Sequence, residues 1–265
     1  IVKILRRIRE NEKLIDTYYS SFIHLADCRG VIRANILQGG TETGRFSYSG
    51  PNLQNLPKEE GELKYYIRRC FVPRPNHKFV MIDYDQQEYR LMLDYAGERK
   101  LIDKINAGLD VHQATALLLN VPGITRKIAK MINFMLLYGG GTSTLANNLN
   151  VPMEEAKQWK RRYFDELPLV VKFLERVRDT ASSRGYIQNW FGRKCHKSPD
   201  KGLFIMPNHL IQGGCADIIK VAMVRIHKLL QATKSSMLVQ IHDELLLEIH
   251  DSEMHLVPKI KRIME

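Results

Sequence analysis

The chain has 265 residues with 44% hydrophobic and 26% charged content, which fits one large or two modest globular domains and excludes a disordered or fibrous polymer. Its 40 Lys and Arg against 29 Asp and Glu give a formal net charge of +11, so a polyanionic partner is expected, either nucleic acid or an acidic membrane surface. No apolar run approaches the roughly 20 residues of a membrane span, and the charged opening IVKILRRIRENEKL has no signal-peptide core.

Apolar positions at 1, 4, 5, 8 and then 14, 15, 18, 19, 22 predict a first helix over residues 1 to about 22. Residues 39–62, GGTETGRFSYSGPNLQNLPKEEGE, are rich in Gly, Ser, Asn and Pro and read as a long ordered loop. KFVMID (78–83) reads as a strand ending at Asp83, and QQEYRLMLDYAGE (86–98) as a helix closed near Gly97. Asp110 is positioned to cap a helix through VHQATALLLN, and Thr125 to cap a second through RKIAKMINFMLLYGG. Residues 153–184 predict one or two amphipathic helices, interrupted at Pro168 and stopped at Gly185. YIQNWFGRK then reads as strand and turn, and residues 207–231 as a long helix. MLVQI and LLLEI form two strands meeting at His242-Asp243-Glu244, followed by a last helix. Helix, strands, a helical insert and strands again describe a sheet domain interrupted by a helical one, an α+β fold. The four cysteines (28, 70, 195, 215) lack metal-ligand spacing and read as free thiols of a reducing compartment. The first residue is not Met, so the chain reads as part of a longer one.

The run VQIHDELLLE (239–248) raises a chemical question, because an unpaired buried carboxylate costs several kcal/mol. Asp83 and Asp243 both end apolar strands. Two carboxylates brought together repel unless a cation holds them. Magnesium prefers oxygen ligands and shares phosphate oxygens, so the pair suits two metals about 3.5–4 Å apart. The alternative is that Asp243 is an ordinary hairpin residue. In RKIAKMINFMLLY, Arg126, Lys130, Phe134 and Tyr138 recur every fourth residue and form one helical stripe. Cations at a helix start are locally unfavourable, and a triphosphate docked there would offset them. The two aromatics further along suit a base and sugar. The alternative is an amphipathic helix with solvated cations and core aromatics. Arg45, within TGRFSYSGPNLQNLP, sits in a loop whose Arg, Asn and Gln side chains suit minor-groove acceptors, or else in a packed surface loop.

TGRFSYSGPNLQNLP, DYDQQEYR, DVHQATA, RKIAKMINFMLLYG, IQGGCADIIK and VQIHDE occur in this order. Together they closely resemble the polymerase module of family A DNA polymerases, the group of bacterial DNA polymerase I and related phage enzymes. The resemblance implies a right-hand architecture: a thumb stub over 1–22, palm over 23–97 and 186–265, and a helical fingers insertion over 98–185. It implies template-directed DNA synthesis in the cytoplasm of a bacterial or phage-infected cell, on primer-template DNA and deoxynucleoside triphosphates, within a larger polymerase chain. Asp83 and Asp243 resemble the aspartates that bind two magnesium ions, with the Tyr84 carbonyl as an added ligand and Glu244 as an accessory acid. Arg126, Lys130 and His112 resemble triphosphate contacts, with Lys130 a proton donor to pyrophosphate. Phe134 resembles the residue packing on the incoming sugar and base, Tyr138 the one near the templating base, and Gln86 and Glu88 further nucleotide contacts, Glu88 blocking a ribose 2′-hydroxyl. Arg45, Asn208, Gln212 and His242 resemble contacts to primer-template DNA. Arg90 resembles a structural arginine. The pattern departs from the family at Asp85 (usually Ser), Gln87 (Ile), Met135 (Gly) and Phe204 (Arg). Missing thumb helices would make the chain hold DNA weakly. Rival readings are a silent nucleic-acid-binding module, a two-metal nuclease and a single-subunit RNA polymerase.

Overall fold

The computed structural model describes residues 1–57, 64–121, 123–137 and 140–265. The chain divides into two compact units, Ile1–Tyr84 with Ile219–Glu265, and Asp85–Ile218. These packing limits differ from the expected boundaries at 97 and 185. Residues 87–96 fall in the helical unit because Met92 and Leu93 are fully buried in its core.

The first unit opens with α1 (Val2–Leu14), a π-helical segment Ile15–Ser20 and α2 (Ser21–Leu25). The helical start therefore runs three residues past the expected end, and Tyr18, Phe22 and Phe71 stack edge-on along it. Two short strands, β1 (Asn35–Leu37) and β2 (Ser47–Ser49), pair antiparallel. The expected long loop thus contains β2 and a 3₁₀ turn over Leu53–Asn55, where the Asn52 side chain accepts from Gln54 N. Its end, residues 58–62, lies outside the described residues. After α3 (Lys64–Arg69) comes β3 (His77–Asp83).

The second unit contains α4 (Gln87–Ala96), α5 (Arg99–Asn106), α6 (Val111–Leu119), α7 (Arg126–Leu137), α8 (Thr142–Leu149), α9 (Met153–Glu166) and α10 (Pro168–Arg184). Asp110 caps α6 by accepting from His112 N and Gln113 N. Thr125 Oγ1 accepts from Ile128 N at the start of α7. Pro168 opens α10 at the first-turn position, where its missing N–H has no partner to lose. The hairpin β4 (Tyr186–Gln188) and β5 (Lys194–His196) follows, then a 3₁₀ turn over Leu203–Ile205 and the long α11 (Met206–Leu230). Small residues of IQGGCADIIK allow α4 to approach α11: a Cβ on Gly214 would lie 2.8 Å from Leu91 Cδ2. Leu93, Ile132, Tyr163, Val170, Phe173 and Ile211 anchor the core.

The last part of α11 belongs to the first unit, which closes with β6 (Ser236–Ile241), β7 (Glu244–His250), a 3₁₀ segment Asp251–Leu256 and α12 (Val257–Met264). The sheet order is β3-β7-β6, antiparallel throughout. Alternate residues Leu245, Leu247 and Ile249 of β7 bury one face completely, in one core with Ile219, Ile226 and Ile260 of the helices. At about 25 cal/mol per Å² of apolar surface, each such side chain contributes about 2 kcal/mol. The sheet is thereby covered on one side, and its strand ends are left to carry chemistry.

Candidate active site

The β6–β7 hairpin answers the question of the acids. Ile241 pairs with Glu244, leaving His242 and Asp243 as a two-residue turn. His242 has φ 57°, the left-handed conformation that such turns require. The same register sets Asp83 opposite Glu244. Tyr84 N–H donates to Asp243 O at 3.2 Å, one step beyond the end of β3. Asp83 is exposed and Asp243 and Glu244 are half-buried, so water reaches all three acids. The buried acid of the run is Glu248, 5% exposed on the central strand. Its carboxylate accepts from Arg74 N at 2.7 Å and from the Arg74 guanidinium at 2.6 Å. Among the described residues, no three His, Cys, Asp or Glu side chains form a preformed metal cage. Magnesium does not need one: it commonly takes one or two carboxylates and keeps its other positions for water and phosphate. The adjacent pair Asp83 and Asp243 fits that requirement.

The loop around Arg45 is held down in the same unit. Lys220 of α11 donates to Gly44 O at 2.6 Å and Gln38 O at 3.3 Å, and its ammonium lies 4.6 Å from the Phe46 ring centroid. Arg45, between these two residues, is half-buried, and its carbonyl accepts from Thr41 Oγ1. Tyr48 Oη accepts from Gln240 N, and Gln54 Nε2 donates to Gln240 O and Oε1. Gln240 in turn donates to His242 O. The loop is therefore tied to the strand that leads into the Asp243 turn.

In the helical unit, Arg126, Lys130 and Phe134 follow one another along α7 as the four-residue spacing predicts. Lys130 Nζ lies 5.6 Å from the Phe134 ring, and Phe134 lies 6.0 Å from His112 of α6. Tyr138, the fourth member of the stripe, lies outside the described residues. The cationic helix start has a partner within the protein that the sequence reading did not name. Arg126 Nε and Nη2 donate to Asp110 Oδ1 and Oδ2 at 2.9 and 2.7 Å. That pair and the cap hydrogen bonds hold the Asp110 carboxyl down at about 2. Sequence reasoning had given Asp110 only its capping role. His112 is 1% exposed, and its Nε2 lies 3.1 Å from Gln86 Oε1. Burial pushes its pKa down. Gln86 is half-buried with φ 51°, and Glu88 lies two residues on, in the first turn of α4. On α11, Asn208 and Gln212 are four apart and both half-buried, so they share a helical face.

The family model described as DNA polymerase family A matches residues 1–265. The chain belongs to DNA polymerase family A. It is 34% identical over 285 residues to the thermostable DNA polymerase I of Thermus aquaticus, covering all of this chain and 34% of that protein. It is 34% identical over 270 residues to DNA polymerase I of Pseudomonas aeruginosa, covering 94% of this chain and 29% of that protein. A solved structure described as the POL domain of Pol1 from M. smegmatis, in complex with DNA primer-template and dNTP, superposes with a TM-score of 0.85 at 30% identity. That match covers 97% of this chain and 47% of the other. The chain thus spans about a third of the length of these curated relatives.

Against the family A pattern, the departures at Asp85 and Met135 have local explanations, and those at Gln87 and Phe204 have none in the structure. Asp85 is paired with Arg90, whose Nη2 donates to its carboxylate at 2.8 Å and whose Nε donates to its carbonyl. The extra charge is therefore offset next to where it enters. Met135 turns into the helical core at 8% exposure rather than toward the stripe of Lys130 and Phe134. Gly140 makes room for it, since a Cβ there would lie 2.8 Å from Met135 Cγ. Gln87, where an Ile is usual, is 8% exposed, and its Nε2 has no partner among the described residues. Phe204 is exposed at the start of α11.

Proposed function

We propose that this chain is the polymerase part of a DNA-directed DNA polymerase, adding deoxynucleotides to a primer 3′-hydroxyl with release of pyrophosphate. The observation that carries the reading is the β3–β7 pairing, which makes neighbours of two acids 160 positions apart in the chain, Asp83 and the Asp243 turn. In this reading the first sheet segment and residues 186–265 act as palm, and 98–185 as fingers. Asp83, Asp243 and the Tyr84 carbonyl hold two magnesium ions, with Glu244 as accessory acid. Bound there, the ions supply a lowered pKa for the primer hydroxyl and compensation for triphosphate charge.

The remaining work is positioning and charge stabilisation. Arg126 exchanges Asp110 for a phosphate oxygen. Lys130 contacts the triphosphate and protonates the departing pyrophosphate, and His112 donates a further hydrogen bond. Phe134 packs against the incoming sugar and base, Tyr138 lies near the templating base, Gln86 borders the triphosphate, and Glu88 excludes a 2′-hydroxyl. Arg45, Asn208, Gln212 and His242 contact primer-template DNA. The basic composition supports a nucleic-acid partner. No helix among the described residues is long and apolar enough to cross a membrane. The four cysteines form no disulfide with one another, which agrees with action in a reducing compartment such as the cytoplasm.

The test is primer extension on a templated duplex, with each nucleotide supplied separately and magnesium present or withheld. Template-matched, magnesium-dependent addition supports the reading. DNA degradation without nucleotides points to a nuclease, and DNA binding without extension to a silent module.

A further inference from the structure

Beneath the triphosphate-facing end of α6 and α7 lies a buried polar network whose protons can be assigned one by one. Thr115 Oγ1 donates to Val111 O at 3.0 Å, so its lone pairs face outward as acceptors. Asn133, 1% exposed on α7, sends one amide proton to Thr115 Oγ1 and the other to His112 Nδ1, both at 3.0 Å. Tyr89 Oη lies 3.2 Å from the same Thr115 oxygen and 2.7 Å from Tyr163 Oη. A single direction of donation, from Tyr163 to Tyr89 to Thr115 to Val111 O, satisfies all of these contacts.

This assignment settles the state of the imidazole. His112 Nδ1 accepts from the Asn133 amide, so it carries no proton. The ring proton resides on Nε2 and donates to Gln86 Oε1 at 3.1 Å. The opposite amide orientation would aim the Asn133 carbonyl at Thr115 lone pairs. It would also leave two N–H groups where Oδ1 now stands without a partner among the described residues. An imidazolium would set an Nδ1–H against the Asn133 N–H. The charges nearby divide: Arg126 and Lys130 of α7 disfavour a second proton, while Asp110 at the cap of α6 and Asp85 before α4 favour it.

We propose that Asn133 is a positioning residue for nucleotide addition: it locks His112 as a neutral imidazole whose Nε2–H is always available to the incoming triphosphate. Gln86 Oε1 stands in for the phosphate oxygen until the nucleotide arrives, and the half-buried Gln86 then moves aside. The donor is thereby independent of pH over the range in which a free histidine titrates. The inference rests on the reading of His112 as a triphosphate contact.

The experiment is ¹⁵N NMR of the full chain with labelled histidine, the His112 signals being identified by their loss in His112→Ala. The expected result is one neutral Nε2–H ring from pH 8 to pH 5.5. An Nδ1–H ring, or an imidazolium forming near pH 6.5, overturns the lock, and the ring is read in the unsubstituted chain. The second arm is extension kinetics of Asn133→Asp. Its carboxylate would hold a proton on Nδ1 and turn Nε2 into an acceptor once the ring is neutral. KM for the nucleotide should then rise about tenfold from pH 6 to pH 8 with little change in kcat, while the wild-type KM stays flat. A structural role alone would move the melting temperature and leave the pH profile flat, which overturns the proposal. An Nε2–H ring combined with an unchanged KM in His112→Ala refutes the phosphate contact instead, and leaves the tautomer lock standing.

Discussion

The Asp243 turn and the α6–α7 face treat polar groups in opposite ways. At the turn, acids are exposed or half-buried, and water solvates them where they stand. On the α6–α7 face the protein has supplied acceptors in advance: Asp110 for Arg126 and Gln86 for His112. The first region suits cations arriving from solution with their own waters. The second is built for exchange, because a ligand there must replace acceptors already in position. Exchange lowers net affinity, but it keeps the donors oriented before the ligand comes.

The strongest way to break this comparison is at the turn. Asp243→Asn and Asp83→Asn should each lower single-turnover extension by about a thousandfold or more, equivalent to about 4 kcal/mol. Thermal unfolding should barely move, because neither acid is buried. Activity within tenfold of wild type in both would remove the turn from the chemistry. Next comes the acid that the fold does bury. Arg74→Ala leaves the Glu248 carboxylate with only a backbone donor and should cost about 2 kcal/mol, or about 5 °C in Tm. Denaturant titration checks it, and a change below half that size would show that water replaces the guanidinium.

Gln87→Ile sharpens the contrast from the other side. It removes a buried amide whose Nε2 finds no partner among the described residues, so it should stabilise the chain by about 1 kcal/mol in the same titration. The smallest effect concerns Asp110. Its folded pKa is depressed from 3.8 to about 2, so the unfolded chain takes up that proton first as pH falls. Its contribution to stability is complete above about pH 5 and drains away as pH falls toward 2. Asp110→Asn keeps a good helix cap and loses only the charge. The stability gap between wild type and this variant should therefore narrow from pH 5 to pH 3, and a constant gap would exclude the ion pair as its source.

Much of this was legible from local chemistry. Asp110 and Thr125 mark helix starts with side-chain caps, Pro168 with its missing N–H, and Gly97 and Gly185 mark helix ends with left-handed backbone, and the structure has helix limits at each. Three short helices escaped, α3 among them. α5 shows only Leu101 and Ile105 as buried apolar positions, and α8 starts right after a glycine run that reads as a stop. Asp83 and Asp243 stood out because each ends an apolar strand. The Arg126–Asp110 pair did not, because 16 residues separate its members and only the packing of α6 on α7 joins them. Asn133 carries no sequence signal of its own, because its partners His112 and Thr115 lie on α6. Glu248 carries no signal of its own in the strand pattern, because the Arg74 that covers its carboxylate lies 174 positions away in the chain.

That last acid reaches further than its own neighbourhood. Strand pairs can slip by one residue, and such a slip turns every side chain to the other face. A slipped β3 would carry Arg74 away from Glu248 and bury a carboxylate with no counterion. It would also shift Asp83 off Glu244 at the far end of the ladder. One ion pair at the distal edge of the sheet therefore acts as a ruler, penalising any alignment that would misplace the acids at the working end.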